Sequence, residues 1–231
     1  MKLSKRLQTV CDLIIKYKQG EVLADIGTDH AYLPCYLIEN KTVEKAYACD
    51  VASGPINASI ETIKTYHLDN QVIPLLGSGI TPIVDKKVDM ISICGMGGKL
   101  MVDILDENIN YINEQCLFLQ PNVGLEIVRE YLYQNHFEII DEDIVKDVHH
   151  IYEVIVCKKT NKQIHYNEKD FFFGPYLRQK KSDLFIEKWQ RQLTIQKNIL
   201  KSLQPTHPKY QEVKHMIELI EGELNESKTN H

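Results

Sequence analysis

The chain has a single tryptophan, no CxxC pair and no run of eighteen consecutive apolar residues among its 231 positions. The last absence leaves no candidate for a transmembrane helix. The charged start, Met1-Lys2-Leu3-Ser4-Lys5-Arg6-Leu7, is followed by no long apolar stretch and so lacks the pattern of a secretory signal peptide. The six cysteines, at 11, 35, 49, 94, 116 and 157, are too evenly scattered for a zinc site or a disulfide framework. Several lie in apolar runs, where cysteine packs as a small hydrophobe. The expectations are a reducing cytoplasm, no membrane and no metal. Internal repeats and low-complexity segments are missing too. No basic excess advertises nucleic acid, because the net charge is −5. That charge is unevenly divided, however. Residues 1–160 hold 15 Lys+Arg against 23 Asp+Glu (−8), and residues 161–231 hold 12 against 9 (+3). A mildly basic tail on an acidic body hints at a polyanionic partner, and solvated helix faces explain it equally well.

What is present is an alternation of short apolar runs and helical stretches from about residue 20 to 158. Val22–Ile26, Ala46–Cys49, Val72–Leu76, Val88–Cys94 and Leu117–Leu119 read as buried strands. Residues 31–40, 53–66, 98–107 and 123–135 read as the helices between and after them. Pro74 inside the third run predicts an edge strand. Residues 137–145 and 151–157, with no helix between them, predict a closing antiparallel pair. The pattern is that of an α/β domain, a parallel sheet covered on both faces, over residues 1–160. Past it the period changes. Phe185, Trp189, Leu193, Leu200 and Leu203 fall on one helix face, and Tyr210, Val213, Ile217, Ile220 and Leu224 follow at steps of 3, 4, 3 and 4. With Pro205-Thr206-His207-Pro208 between them, residues 161–231 are expected to form a helical coiled-coil hairpin, fraying over 226–231.

Chemistry concentrates where strands end. Ala24-Asp25-Ile26-Gly27-Thr28-Asp29-His30 runs from a strand into a helix, and Gly27 allows a sharp turn and close ligand approach. One glycine is a weak dinucleotide fingerprint, and a plain strand–turn–helix stays open. Asp50, in Cys49-Asp50-Val51, ends the second strand 25 residues after Asp25. An acid there either accepts hydrogen bonds from the ribose hydroxyls of an adenosine or caps the next helix. Gly77-Ser78-Gly79 is suited to an adenine edge or is a simple loop. Cys94-Gly95-Met96-Gly97-Gly98 carries more glycine than a turn needs and is expected as a close-approach loop, with Met96 against a ring or in the core. Gln120-Pro121-Asn122 adds a polar loop on the same edge, where Asn122 can face a base.

Together, Leu3-Ser4-x-Arg6-Leu7, Asp25-Ile26-Gly27-Thr28-Asp29-His30-Ala31-Tyr32-Leu33-Pro34, Gly54-Pro55, Cys94-Gly95-Met96-Gly97-Gly98, Leu119-Gln120-Pro121-Asn122 and Ile151-Tyr152-Glu153 resemble the bacterial tRNA (adenine-22-N1)-methyltransferases. The likeness covers residues 3–157 and extends to a helical-hairpin C-terminal domain. It implies a Rossmann-like class I methyltransferase domain, S-adenosylmethionine as donor and N1 of a tRNA D-arm adenine as acceptor. Two positions depart from the family: Ser78 stands where an aspartate is usual, and Asp50 where a glutamate is frequent.

The resemblance sorts the candidates. Asp25, Gly27, Thr28, Asp50, Val51, Gly77, Ser78, Cys94, Gly95 and Met96 would hold the donor. Asp29, His30, Tyr32 and Asn122 would face the reacting base, with Asp29 stabilising the positive charge that methylation creates. Asp29 tying the loop to a helix, a structural His30 and a core Tyr32 remain the alternatives. Lys5, Arg6, Lys180, Lys181, Lys188 and Arg191 would grip tRNA phosphates. The partner implied is tRNA rather than DNA, and a monomer is expected. A methyltransferase for another RNA site or a small molecule, and a non-catalytic RNA-binding relative, are the competing readings. A nicotinamide enzyme is disfavoured by the missing second and third glycines of the first loop.

Overall fold

The structure, a computed structural model, describes residues 1–226, which divide into two compact units, one of residues 1–166 and one that begins at Asn167. The fraying expected over 226–231 lies, beyond Glu226, outside the described residues.

In the first unit, strands β1 (Val22–Ile26), β2 (Lys45–Asp50), β3 (Val72–Leu76), β4 (Met90–Gly97), β5 (Cys116–Val123), β6 (Phe137–Asp147) and β7 (His150–Lys159) form one sheet in the order β3-β2-β1-β4-β5-β7-β6. The first five strands are parallel, and β7 runs antiparallel to both β5 and β6. Helices α1 (Lys5–Lys16), α2 (Tyr32–Glu39), α3 (Ser53–Thr65), α4 (Gly98–Glu107) and α5 (Leu125–Gln134) cover it. The architecture is Rossmann-like. Its central strands read as apolar runs because both their faces are covered: Leu23, Ala24, Met90, Ile91, Ile93, Leu117 and Phe118 are fully or almost fully buried. Pro74 sits on β3 at the sheet edge, where a missing N–H disturbs no inner ladder. Helix α1 starts at Ser4, whose Oγ accepts from Leu7 N at 3.3 Å, and buries Val10, Cys11, Leu13 and Ile14. It lies against β5, β6 and β7.

Two stretches expected as loops are strand. β4 continues through Met96 and Gly97, which pair with Pro121 and Val123 across a bulge, and β5 continues through Gln120-Pro121-Asn122 to Val123. The glycines serve that extension: a β carbon on Gly98 would collide with the Gly124 carbonyl oxygen, so the start of α4 and the end of β5 come together only without one.

The strand order reverses between β1 and β4, since β2 and β3 lie on one side and β5 on the other. Ligands of open α/β sheets bind at the carboxyl ends of the strands at such a switch point.

In the second unit, α6 (Glu168–Phe173) and α7 (Pro175–Lys180) precede two long helices, α8 (Asp183–Ser202) and α9 (Tyr210–Glu226). The two short helices are additional to the hairpin expected from the sequence. Their signals are an Asn167–Asp170 capping box and a Gly174-Pro175 break, with Gly174 at φ +87°. Phe172, Phe173, Phe185 and Trp189 form an aromatic core, with the Trp189 ring 4.5 Å from Phe173. On α9, Val213, Ile217 and Ile220 are buried. On α8 the seven-residue gap from Leu193 to Leu200 is filled by buried Gln196, a polar residue that hid the period. Lys197 of α8 reaches Glu221 of α9 at 2.6 Å. No helix of the described residues is long and apolar enough to cross a membrane.

Candidate active site

The loop after β1 is built by hydrogen bonds to its neighbour. Gly27 N and Thr28 N both donate to Cys49 O on β2, at 2.9 and 3.0 Å. Gly27 has φ +72°, and a β carbon there would strike Met96 Cε, so the position is left-handed and also crowded. Beneath the loop lies Asp25, buried, accepting from Ser92 Oγ at 2.6 Å and Thr28 Oγ1 at 2.7 Å. Burial pushes its carboxyl above the ordinary range, and the two hydroxyls oppose that shift. Asp25 and Thr28 therefore fasten the floor, and they leave the loop's exposed atoms to meet a ligand.

Asp29 and Ala31 are both left-handed, at φ +54°. These kinks turn Asp29 and His30 outward while Ala31 is buried. The Asp29 side chain is 72% exposed and lies 3.7 Å from His30 Nε2. The His30 and Tyr32 rings stack, 5.3 Å between centroids and 13° from parallel, giving an exposed aromatic face at the rim. Asp50, at the end of β2, accepts from Ala52 N at 3.0 Å and Asp29 N at 3.4 Å. Its carboxylate thus ties the two loops together.

On the other side of β1, Gly95 is held at φ +79° by two amides. Gln120 Oε1 accepts from Gly95 N at 3.2 Å, and Asn122 Nδ2 donates to Gly95 O at 2.7 Å. Gln120 Nε2 in turn donates to Asn122 Oδ1 at 3.2 Å. Burial pushes the Cys94 thiol far above its usual range, with Asp25 adding to the shift, so it remains a neutral wall group.

These elements enclose a cleft of about 370 Å³ that brings together Arg6, Asp25, Gly27, Thr28, Asp29, His30, Tyr32, Asp50, Cys94, Gly95 and Met96. Leu7 and Leu33 complete its lining. Four predicted donor or base positions are outside the lining. Asn122 touches it only through Gly95, and Gly77 through its N–H to Asp50 O at 3.0 Å. Ser78 is exposed, and Val51, 71% exposed, leaves an apolar surface next to Asp50. Lys5 is exposed at the start of α1. In the second unit Lys180 and Arg191 are exposed, and Lys188 Nζ lies 4.8 Å from the Trp189 ring. Lys181 pairs at 3.2 Å with Glu223, a buried acid that Arg178 also holds at 3.0 Å. Among the described residues no group of three or more His, Cys, Asp or Glu is placed to hold a metal ion.

Gln120 has a positioning role that its motif alone does not reveal, although a glutamine closing the buried run Leu117-Phe118-Leu119 is itself a signal. The Tyr152 ring lies 5.4 Å from the Arg6 guanidinium, a contact that no local pattern in the sequence signals.

The cleft lies at the switch point, where open α/β sheets bind their ligands, and comparison with known proteins says which family the chain belongs to. Residues 23–222 match the family model described as tRNA (adenine(22)-N(1))-methyltransferase. The chain belongs to this family. A Bacillus subtilis (strain 168) tRNA (adenine(22)-N(1))-methyltransferase is 34% identical over 208 residues, 88% of this chain and 86% of that protein. The crystal structure of the B. subtilis M1A22 tRNA methyltransferase TrmK superposes with a TM-score of 0.86 at 30% identity, covering 96% of this chain and 99% of that one. M. capricolum TrmK, solved with its natural cofactor product S-adenosyl-homocysteine, gives 0.87 at 28% identity over 97% and 99% of the two chains.

Proposed function

We propose that this protein transfers a methyl group from S-adenosylmethionine to N1 of adenine 22 in the D-arm of bacterial tRNA. The observation that carries the reading is the cleft at the β1/β4 switch point, in a chain of this family, with a carboxylate at the end of β2 and left-handed glycines at the ends of β1 and β4. Those residues fit the donor. Asp50 has two carboxylate oxygens at the cleft edge that now accept backbone N–H groups and are suited to ribose hydroxyls, and exposed Val51 offers a flat apolar neighbour for an adenine. Gly27, Thr28, Gly95 and Met96 would cradle the rest, with Gly77 and Ser78 at the adenine edge.

When bound, the donor supplies an electrophilic methyl on a sulfonium. The protein's part is placement. Adenine N1 already carries an in-plane lone pair, so no side chain has to remove a proton, and orienting two reactants can contribute ~7–11 kcal/mol. The stacked His30 and Tyr32 rings give an unstacked base a face to rest on, offsetting the few kcal/mol of leaving the tRNA stack. Asp29, exposed beside them, stabilises the charge that the ring gains. Asn122 holds Gly95 in place behind that base. Two domains, residues 1–160 for donor and base and 161–231 for tRNA, complete the proposal, with the long helices as a coiled-coil hairpin. There Lys180, Lys188 and Arg191, with Lys5 on the first domain, meet phosphates, and Lys181 chiefly anchors Glu223. A cytoplasmic monomer suits the even, unpaired cysteines and a tRNA substrate.

Calorimetric titration with S-adenosylhomocysteine tests the donor site. Wild type should bind it and ignore NAD, and Asp50→Ala should bind about ten- to a hundredfold more weakly, the loss expected for a charged acceptor. No binding by wild type would overturn the reading, and an unchanged affinity in the variant would remove Asp50 from the site.

A further inference from the structure

Val123 is 67% exposed at the end of β5, although the strand is buried from Cys116 to Pro121. Its backbone is firmly held. Val123 pairs with Gly97 on β4, and Gly124, at φ +72°, turns the chain into α5 directly after it. The preceding residue, Asn122, is bonded to Gly95 of the cleft lining and to Gln120, whose Oε1 also accepts from Arg6 NH1 at 2.5 Å. Val123 thus stands at a stiff apex, one residue along from a contact with the cleft wall and outside the lining itself. Its neighbours are glycines. A β carbon on Gly97 would lie 3.9 Å from Val123 Cγ2, and one on Gly98 is excluded by the Gly124 carbonyl oxygen. The starts of α4 and α5 meet at that glycine contact, and Leu100 and Ile127 in their first turns are exposed too. A single exposed valine is ordinary, whereas three apolar side chains on one glycine-lined rim beside a cleft call for a ligand.

We infer that Val123 is a wedge, which enters the D-arm stack where adenine 22 leaves it and holds the gap open while the base sits in the cleft. The inference rests on the methylation proposed above. N1 of a paired, stacked adenine is inaccessible, so the base has to leave the helix, and nothing in the RNA keeps the gap from closing again. Apolar side chains inserted between bases are a recurrent protein answer to that problem. Val123 suits the part. A β-branched side chain is stiff at χ1, and a strand end fixed on both sides has little freedom left to lose on insertion. The bare glycines let the flanking bases approach the backbone, and Leu100 and Ile127 offer them further apolar contact. The His30–Tyr32 face receives the base while Val123 takes its former place. The valine is therefore a positioning residue that never meets the methyl group.

The opening is read with a tRNA transcript carrying 2-aminopurine, whose emission rises on unstacking, in place of adenine 22. S-adenosylhomocysteine is present, so no transfer occurs. Wild type should raise the emission strongly. Val123→Ala should lose most of that rise and slow single-turnover methylation of the ordinary transcript about tenfold, and Val123→Leu should keep both. On a transcript mismatched opposite adenine 22, Val123→Ala should approach the wild-type rate, because less unstacking work remains. Its affinity for S-adenosylhomocysteine should be unchanged, which also reports an intact fold. A Val123→Ala protein that opens tRNA normally, or that slows both transcripts equally, would overturn the wedge. So would a weakened S-adenosylhomocysteine affinity, which would place Val123 in the donor site, or a shift in oligomeric state, which would make the rim an interface between copies. Wild type that methylates adenine 22 without raising the emission would overturn it as well. Wild type that methylates no transcript would instead contradict the proposed function itself.

Discussion

Asp29→Asn is expected to slow methyl transfer about a hundredfold at saturating donor while leaving donor affinity almost unchanged. Asparagine is the informative substitution because Asp29 is left-handed, at φ +54°, a conformation that Asn adopts at less cost than alanine. The backbone N–H of Asp29, which donates to Asp50, is kept in the variant, so the loop stays tied. What is lost is one negative charge beside the His30–Tyr32 face. The methylated ring is cationic and the unreacted ring is neutral, so the carboxylate acts on the transition state far more than on the bound base. Single-turnover methylation of a tRNA transcript measures this step. A normal rate constant would mean that Asp29 serves only to shape the loop.

The second large effect is on stability. Arg129 on α5 is fully buried, with Nε 2.8 Å from Glu142 Oε1 and NH2 2.6 Å from Glu153 Oε2, and both acids are buried as well. The clamp fixes α5 over the β6–β7 pair. Arg129→Met removes the cation and strands two carboxylates in an apolar interior. Breaking a buried ion pair in this way typically costs about 3–5 kcal/mol, a large part of a domain's stability. Urea unfolding should show it, and adding Glu142→Gln and Glu153→Gln to Arg129→Met should recover a good part of the loss. A single variant as stable as wild type would show that the acids find other partners or protonate cheaply.

How far the sequence reveals this site depends on whether a signal is local. The bounds of β1 and β3 follow from local apolar runs, with Gly27 ending the first and Pro74 marking the second as an edge. The closing antiparallel pair was legible because two strand-like runs had no room for a helix between them. Asp29, Asp50 and Gly95 converge in the cleft because strand ends of a parallel sheet share one edge, and strand ends can be read. Other features are set by distant partners. Cys94–Gly97 looks like a loop by composition, and pairing with Pro121 and Val123 makes it strand. Arg6 looks like a surface charge on a helix, and its direction comes from Gln120 and Tyr152, far along the chain. Lys181 looks available until Glu223 is seen buried beside it. Helices α6 and α7 have six residues each, too few for a period to show.

The central claim is that one ring nitrogen of one nucleotide is methylated, and it is tested most directly by mapping the product. Unmodified tRNA transcripts incubated with the protein and S-adenosylmethionine should gain 1-methyladenine at position 22 alone, read by nuclease fragmentation and mass spectrometry. A transcript with guanine at 22 should gain nothing. Methylation at another position or another ring atom, or none on any transcript by a protein that binds S-adenosylhomocysteine, would contradict it.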